Sequence, residues 1–447
     1  MNTAGGEARG CVVLVMHTTS YNVEAFVDAC QNAGVQTVIA SDRCHVLDGV
    51  WQWPAESLMI DFYDPIGAAA SIAASLKASG LPPVRAVIPV GGEAAAVVAS
   101  MAAERLGLRG NAPAAAEAAA NKLRMRELCA AAAGRGEAIR VPAFRAFAFD
   151  ADANGIASDV AQAIGWPCVV KPLLLSGSRG VIRADHPAGL RIALERLRKL
   201  MSAPALLKMK MSGGDSDCVA SRQILIEAFV SGPEVAVEGL LTAGEMRTLA
   251  FFDKPDPLDG PYFEETLYVT PSRHASDVQA DVERTVAIAA RALGLVTGPV
   301  HAEVRLGPDG PVVIEVAARS IGGLCGRILR FGTGLSLEDL LIRHALGDFG
   351  VGEFSREHAA AGVMMIPIPR AGVLKDVQGI AAARAVSGIA DLVVSAHLGE
   401  TLVPLPEGAS YLGFIFAKGG SPEDVEAALR TAHQHLAFEI APLLPVA

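Results

Sequence analysis

No stretch of this 447-residue chain reaches the roughly 18 consecutive apolar residues that a membrane-spanning helix requires, although 51% of its residues are hydrophobic. Much of that fraction is alanine, so no membrane span is expected. Residues 1–10 lack a cationic region leading into a long apolar core, and the apolar run at residues 11–16 is too short for a signal peptide. A cytoplasmic protein is expected. Basic runs are also missing: 38 Lys and Arg stand against 48 Asp and Glu, a net charge of −10, which argues against nucleic acid as a partner. The 7 cysteines are odd in number and contain no CxxC, which argues against both a disulfide framework and a zinc site and for buried thiols. The 10 histidines include no HxxxH pair, and His433 and His435 would point apart on a helix. There is no internal repeat and no long linker.

What is present is an alternation of short apolar runs and alanine-rich helical stretches. Residues 12–16, 37–40 and 86–90 read as strands, with helices at 23–33, 66–78 and 94–106, the pattern of βαβ units around a parallel sheet. Gly91, Gly92 and Glu93 then form a turn into a helix at the carboxyl edge of that sheet, where open α/β sheets bind ligands. A second segment, about 114–200, holds a helix with Lys122 and Arg126, a strand ending at Lys171, and a Gly/Ser loop. A third, about 206–347, has strands near 223–229, 234–241 and 247–252, a helix at 278–293 and a hairpin. Residues 212–217, clustered in Gly, Ser and Asp, read as a mobile loop. The remaining tail has strand-like runs at 362–368 and 411–417. Its closing helix opens with Ser421, Pro422 and Asp424, an N-cap signature. The parts are expected to pack as one body with a movable lid.

The hairpin carries the sharpest signal. Two runs rich in β-branched residues flank a turn at residues 307–310. Pairing symmetric about Asp309 sets Glu303 opposite Glu315, with Ala302, Val304, Leu306, Val312, Ile314 and Val316 on the other face. Opposed like charges destabilise a ladder unless something neutralises them. A divalent cation between two hard carboxylates would do so and suits Mg²⁺; two solvated glutamates are the alternative. Lys122 and Arg126 share a helix face, where an anion would relieve their repulsion. Ser176, Gly177, Ser178 and Gly180 offer backbone N–H groups able to cover phosphates, outside any Walker A pattern. Glu227 ends an apolar strand and Glu234 opens the next, a placement able to grip a base edge and ribose hydroxyls. Asp253 and Lys254 follow a third strand, and Glu264 and Glu265 lie in the loop before Pro271. Arg319 with Gly322 and Gly323 follows the hairpin directly, where a guanidinium can bind a phosphate or a carboxylate.

In this order the residues resemble the ATP-grasp superfamily over about residues 11–440. The tail, with Met364 to Pro369 and Tyr411 to Gly419, is similar to the branch of L-amino-acid ligases and related carboxylate–amine ligases. The resemblance implies an α/β fold: an N-terminal Rossmann-like domain over 1–113, a bipartite α+β ATP-grasp domain over 114–205 and 206–350, and a small α+β lid domain over 351–447. It implies that Lys122, Lys171 and the 176–180 loop bind ATP phosphates, that the segment Glu227, Ala228, Phe229 and Val230 holds adenine, and that Glu234 takes the ribose. Glu303 and Glu315 would hold Mg²⁺, or Mn²⁺, although Ala317 stands where the superfamily usually has a third ligand, Asn. Lys254, Glu265, Arg319, Gly322 and Gly323 would serve the chemistry. The implied reaction activates a small carboxylic acid, such as an amino acid, as an acyl phosphate and joins it to an amine, releasing ADP and phosphate, in a protein expected to form a homodimer. Carboxylase, thioester ligase, phosphotransferase and ATP-binding sensor are the alternatives on this scaffold.

Overall fold

The computed structural model describes residues 10–42, 56–203, 206, 222–332, 334–348, 355–357 and 359–443. Residues 212–217, expected as a loop, and Cys44 and Cys218 lie outside the described residues; the other five cysteines are free and buried.

The βαβ pattern produces a parallel four-stranded sheet ordered Glu56–Met59, Gln36–Ser41, Cys11–Met16, Val84–Val90. Strand Cys11–Met16 is buried along its whole length, as its unbroken apolar run requires. A second, antiparallel sheet contains Phe144–Ala148, Gln223–Ala228, Cys168–Pro172 and Ile182–Ala184, packed under helices Ala153–Ala163 and Pro187–Met201. Strand Gln223–Ala228 thus pairs with residues that precede it by some fifty positions, which sets Glu227 beside Val169.

The largest sheet has eight antiparallel strands, in the order Gly310–Ala317, Gly298–Gly307, Glu234–Thr242, Glu245–Lys254, Leu267–Thr270, Ala360–Ile366, Gly413–Gly419, Ile389–Val394. Its last three strands come from the tail. Leu267–Thr270 would otherwise expose a row of unpaired backbone groups, and the tail covers that edge as a continuation of the sheet. Among the described residues no helix is long and apolar enough to cross a membrane.

The hairpin keeps the expected opposition of Glu303 and Glu315 but reaches it by a different register. Gly307 pairs with Gly310, so the turn has two central residues rather than the three that symmetry about Asp309 requires. A bulge between Glu303 and Val304 restores the offset. Val313, not Val312 or Ile314, consequently joins Ala302, Val304 and Val316 in the core behind the hairpin, against helix Ser276–Leu293. Ile314 turns to the opposite side, into a cleft.

Candidate active site

Strand Gly298–Gly307 alternates at period two, so His301, Glu303 and Arg305 share one face while Ala302 and Val304 anchor the other in the core. Their cross-strand partners are Glu238, Ala236 and Glu234. Small Ala236 opposite Glu303 leaves space on one side, and Glu315 stands on the other. Lys254, in register with Glu234, donates from Nζ to Glu234 at 2.7 Å, Glu265 at 2.5 Å and Glu303 at 2.7 Å. Oxygens of these three carboxylates lie within 4.8 Å of one another. Burial, reinforced by the neighbouring Glu303 charge, pushes Glu265 up to about 8. Lys254 overrides burial at Glu303 and holds it well below the usual carboxylate range. Near neutral pH the Glu265 and Glu303 pair therefore shares a proton.

Three further ion pairs, two of them made by helix Lys122–Gly134, fasten the small sheet and the hairpin to that helix. Arg126, fully buried, donates from Nε to Glu227 at 2.5 Å and from Nη2 to the carbonyl of Ile314 at 2.6 Å. Lys171 reaches the other Glu227 oxygen at 2.6 Å. Lys122 donates to the carbonyl of Leu175 at 2.8 Å and to Glu315 at 3.2 Å. The two cations on one helix face are thus relieved by two different carboxylates, not by one bridging anion. Both carboxylate oxygens of Glu227 are committed to buried cations, while Glu227, Ala228, Phe229 and Val230 together line the cleft. Glu234 is likewise engaged, by Lys254 and by Arg305 Nε at 2.9 Å.

Around these charges lie two cavities. One, about 640 Å³, runs between the sheets and is lined by Lys122, Lys171, Phe229, Val230 and Ile314. The other, about 1270 Å³, extends to the parallel sheet and is lined by Ser20, Asn22, Gly92, Arg319, Gly322 and Gly323. Ser178, Glu265, Glu303 and Glu315 line both, so the cavities meet at the acidic hairpin. Arg319 projects into the second cavity with Nη2 on Glu93 at 2.7 Å, a partner that the local turn pattern around Glu93 does not reveal. The Gly/Ser loop is held down by the tail: Gly180 N–H donates to the carbonyl of Pro406 at 2.8 Å and Arg179 Nε to that of Glu407 at 2.8 Å. Arg196 grips the Glu407 carboxylate with two bonds at 2.9 Å. Loop and tail are thus fastened together beside the junction.

Residues 164–328 match the family model described as ATP-grasp domain, and residues 364–441 match L-amino acid ligase C-terminal domain 2. The chain carries an ATP-grasp domain. The fold superimposes on the L-amino acid ligase from Bacillus licheniformis with a TM-score of 0.78, covering 97% of this chain and 100% of that one at 22% identity. N5-carboxyaminoimidazole synthetase from Staphylococcus aureus, solved with ADP, gives 0.65 at 12% identity over 95% and 97% of the two chains. These likenesses establish the fold. Among curated relatives, dapdiamide A synthase of Enterobacter agglomerans is 30% identical over 35% of this chain and 34% of its own length. Alanine–anticapsin ligase of Bacillus subtilis is 27% identical over 49% and 45%, and the uncharacterized protein y4rH of Sinorhizobium fredii 26% over 75% and 64%. The chain spans less than two thirds of the length of each of these relatives.

The structure brings Lys122, Lys171, Ser178, Glu234, Glu265, Glu303 and Glu315 to one cleft, with Ser176 and Gly177 on the adjoining cavity. Lys254 stands behind the carboxylates it neutralises. Sequence reasoning missed Arg305, which packs at 5.0 Å from the Phe229 ring centre and holds the carbonyl of Val230 at 2.7 Å, fixing the segment that lines the cleft. Its signal was available: Arg305 lies two residues beyond Glu303, on the same strand face.

Glu227 and Glu93 set an acid limit on the fold. Burial alone would raise both, but Arg126 and Lys171 hold Glu227 down to about 2, and Arg319 with Lys122 does the same for Glu93. Folded values below the unfolded 4.5 mean stabilisation that is complete above pH 4.5 and is lost as pH falls towards 2. Each shift corresponds to about 3 kcal/mol. The melting temperature of the wild type should drop steeply below pH 4.5, and its margin over Glu93→Gln should vanish there; a margin independent of pH would contradict the ion-pair account.

Proposed function

We propose that the protein is an ATP-dependent carboxylate–amine ligase. The observation that carries this reading is the junction of two cavities at Glu265, Glu303 and Glu315: one suits a nucleotide, and the other can bring a carboxylic acid and an amine to its phosphate end. Lys122 and Lys171 supply positive charge along the first cavity, Phe229 and Ile314 supply apolar walls for a base, and Gly177 and Ser178 cover the phosphate end. The curated relatives named as a synthase and a ligase support the same class.

A carboxylate is a poor electrophile and needs activation before an amine can attack it. In the proposed sequence a carboxylate oxygen attacks the γ-phosphorus and ADP leaves. The amine then attacks the acyl carbon, phosphate departs, and the amine nitrogen loses a proton. The donor set of Glu303 and Glu315, hard oxygens opposed on one ladder and facing both cavities, fits Mg²⁺ or Mn²⁺. Ala317 adds no donor. Bound there, the ion would offset charge on the phosphates. Protein groups do the rest by position: Lys122 and Lys171 neutralise phosphate charge, Arg319 presents its guanidinium to the acid or acyl phosphate, and the loop held by Pro406 and Glu407 excludes water.

The test is nucleotide product analysis with Mg²⁺ and ATP over amino acids and other small carboxylic acids, each with and without an amine. Acid-dependent ADP and phosphate with an amide product are expected. AMP and pyrophosphate would refute the acyl-phosphate route, and ATP binding without turnover on any acid would leave only a binding protein.

A further inference from the structure

A third cavity, about 660 Å³, lies apart from the two that meet at the acidic hairpin. Helices Glu93–Arg105 and Leu337–Leu346, the start of strand Gly298–Gly307 and strand Val84–Val90 of the parallel sheet enclose it. The chain that leaves the hairpin divides it from the second cavity: Ala318 lines this one, whereas Ala317 and Arg319 line the other. None of the residues assigned above to the nucleotide, the metal or phosphate transfer lines it.

Its walls are apolar. Ala96, Ala99 and Ala103 fall at helical spacing on one face of the first helix, and Leu341 and Ala345 do so on the second. An apolar void forfeits the dispersion contacts of its lining unless an occupant supplies them. The polar groups along it are committed to the protein: Ser100 Oγ donates to the carbonyl of Val97 at 2.8 Å, the Asn111 amide bonds the backbone of Val296 and Thr297, and His344 meets the Thr242 hydroxyl at 3.0 Å. Burial, helped by the Arg109 charge, pushes His344 down to about 4, so its ring is neutral near neutral pH. Arg109 is the exception. It lines the cavity from an exposed position, and no carboxylate pairs with it among the described residues. No Asp or Glu lines the cavity either, in a chain whose net charge is −10. A guanidinium is therefore the one charge over apolar walls, which suits a ligand with an apolar body and a carboxylate.

We propose that this third cavity is a second small-molecule site, separate from the reacting centre, that takes an aliphatic carboxylate: the apolar chain fills the space between the two helices and the carboxylate pairs with Arg109. The site goes beyond the ligase reading and does not depend on it, because binding here involves no group that the transfer of phosphate uses. Burial of the chain supplies the affinity, and the guanidinium selects the charge of the head group.

The test is calorimetric titration of the full chain, without nucleotide, using hexanoate and octanoate as probes and hexanamide and hexylamine as controls. Hexanoate should bind about tenfold or more tightly than hexanamide, octanoate more tightly still, and hexylamine not at all. Arg109→Gln, a change at an exposed side chain, should erase the preference for carboxylate over amide without moving the melting temperature. Ala99→Leu places apolar atoms in the space itself and should abolish binding of both carboxylates. Ala345→Leu fills the same space from the other helix and serves if the first filling variant lowers the melting temperature. Failure of both carboxylates to bind the wild type, equal affinity for hexanoate and hexanamide, or carboxylate binding that survives the filling variants, as it would at the reacting centre, would each overturn the site.

Discussion

Replacing Glu315 by alanine should lower acid-dependent ADP release by about a thousandfold or more without unfolding the protein, because the loss falls on phosphate charge compensation during transfer. Glu315 is the more exposed of the opposed pair, with 24% of its side chain accessible against 16% for Glu303. Among the described residues its hydrogen-bond partner is Lys122, which keeps its bond to the carbonyl of Leu175 when the carboxylate is removed. Glu303, by contrast, is tied to Lys254, so its removal would disturb the three-carboxylate cluster as well as the chemistry. Measuring ADP and phosphate alongside the melting temperature separates the two contributions. Turnover of Glu315→Ala within about tenfold of wild type would sink the assignment of the hairpin carboxylates to phosphate transfer.

Glu227→Ala should have the largest effect on stability, about 3–5 kcal/mol, because it strands two cations away from water. Arg126 is fully buried, and the Lys171 side chain is 9% exposed. With Glu227 gone, Arg126 retains the carbonyl of Ile314 and Lys171 loses the only carboxylate bonded to it among the described residues. Those bonds also tie the helix carrying Lys122 to the hairpin strand at Ile314, so a structural loss here should weaken ATP binding indirectly. Urea unfolding measures the first effect and calorimetric titration with ATP the second. A loss below about 1 kcal/mol would mean that water reaches these charges and that the triad is not buried as described.

Much of the site was legible because it depends on local rules. A turn signal and period-two alternation were enough to oppose Glu303 with Glu315, since both residues lie within one hairpin. Lys171 at the end of an apolar strand, the Gly/Ser loop after it, and the Ser421 cap, which accepts from the Asp424 N–H, are likewise readable within a few residues. The register inside the hairpin was not. A two-residue turn with a compensating bulge gives the same end pairing as a three-residue turn without one, yet sends Val313 rather than Ile314 into the core.

The sequence by itself determined the alternation of elements, the parallel character of the first sheet and the candidate carboxylates and lysines, because propensity, periodicity and capping act over short separations. Only the tertiary structure decided which charges meet. Arg126 finds Glu227 across 101 residues and Arg319 finds Glu93 across 226, and each pairing is set by sheet register and packing. The same holds for the tail, which extends the central sheet and anchors the Gly/Ser loop: an unpaired strand edge demands a partner, but which distant segment supplies it is decided only when the whole chain packs.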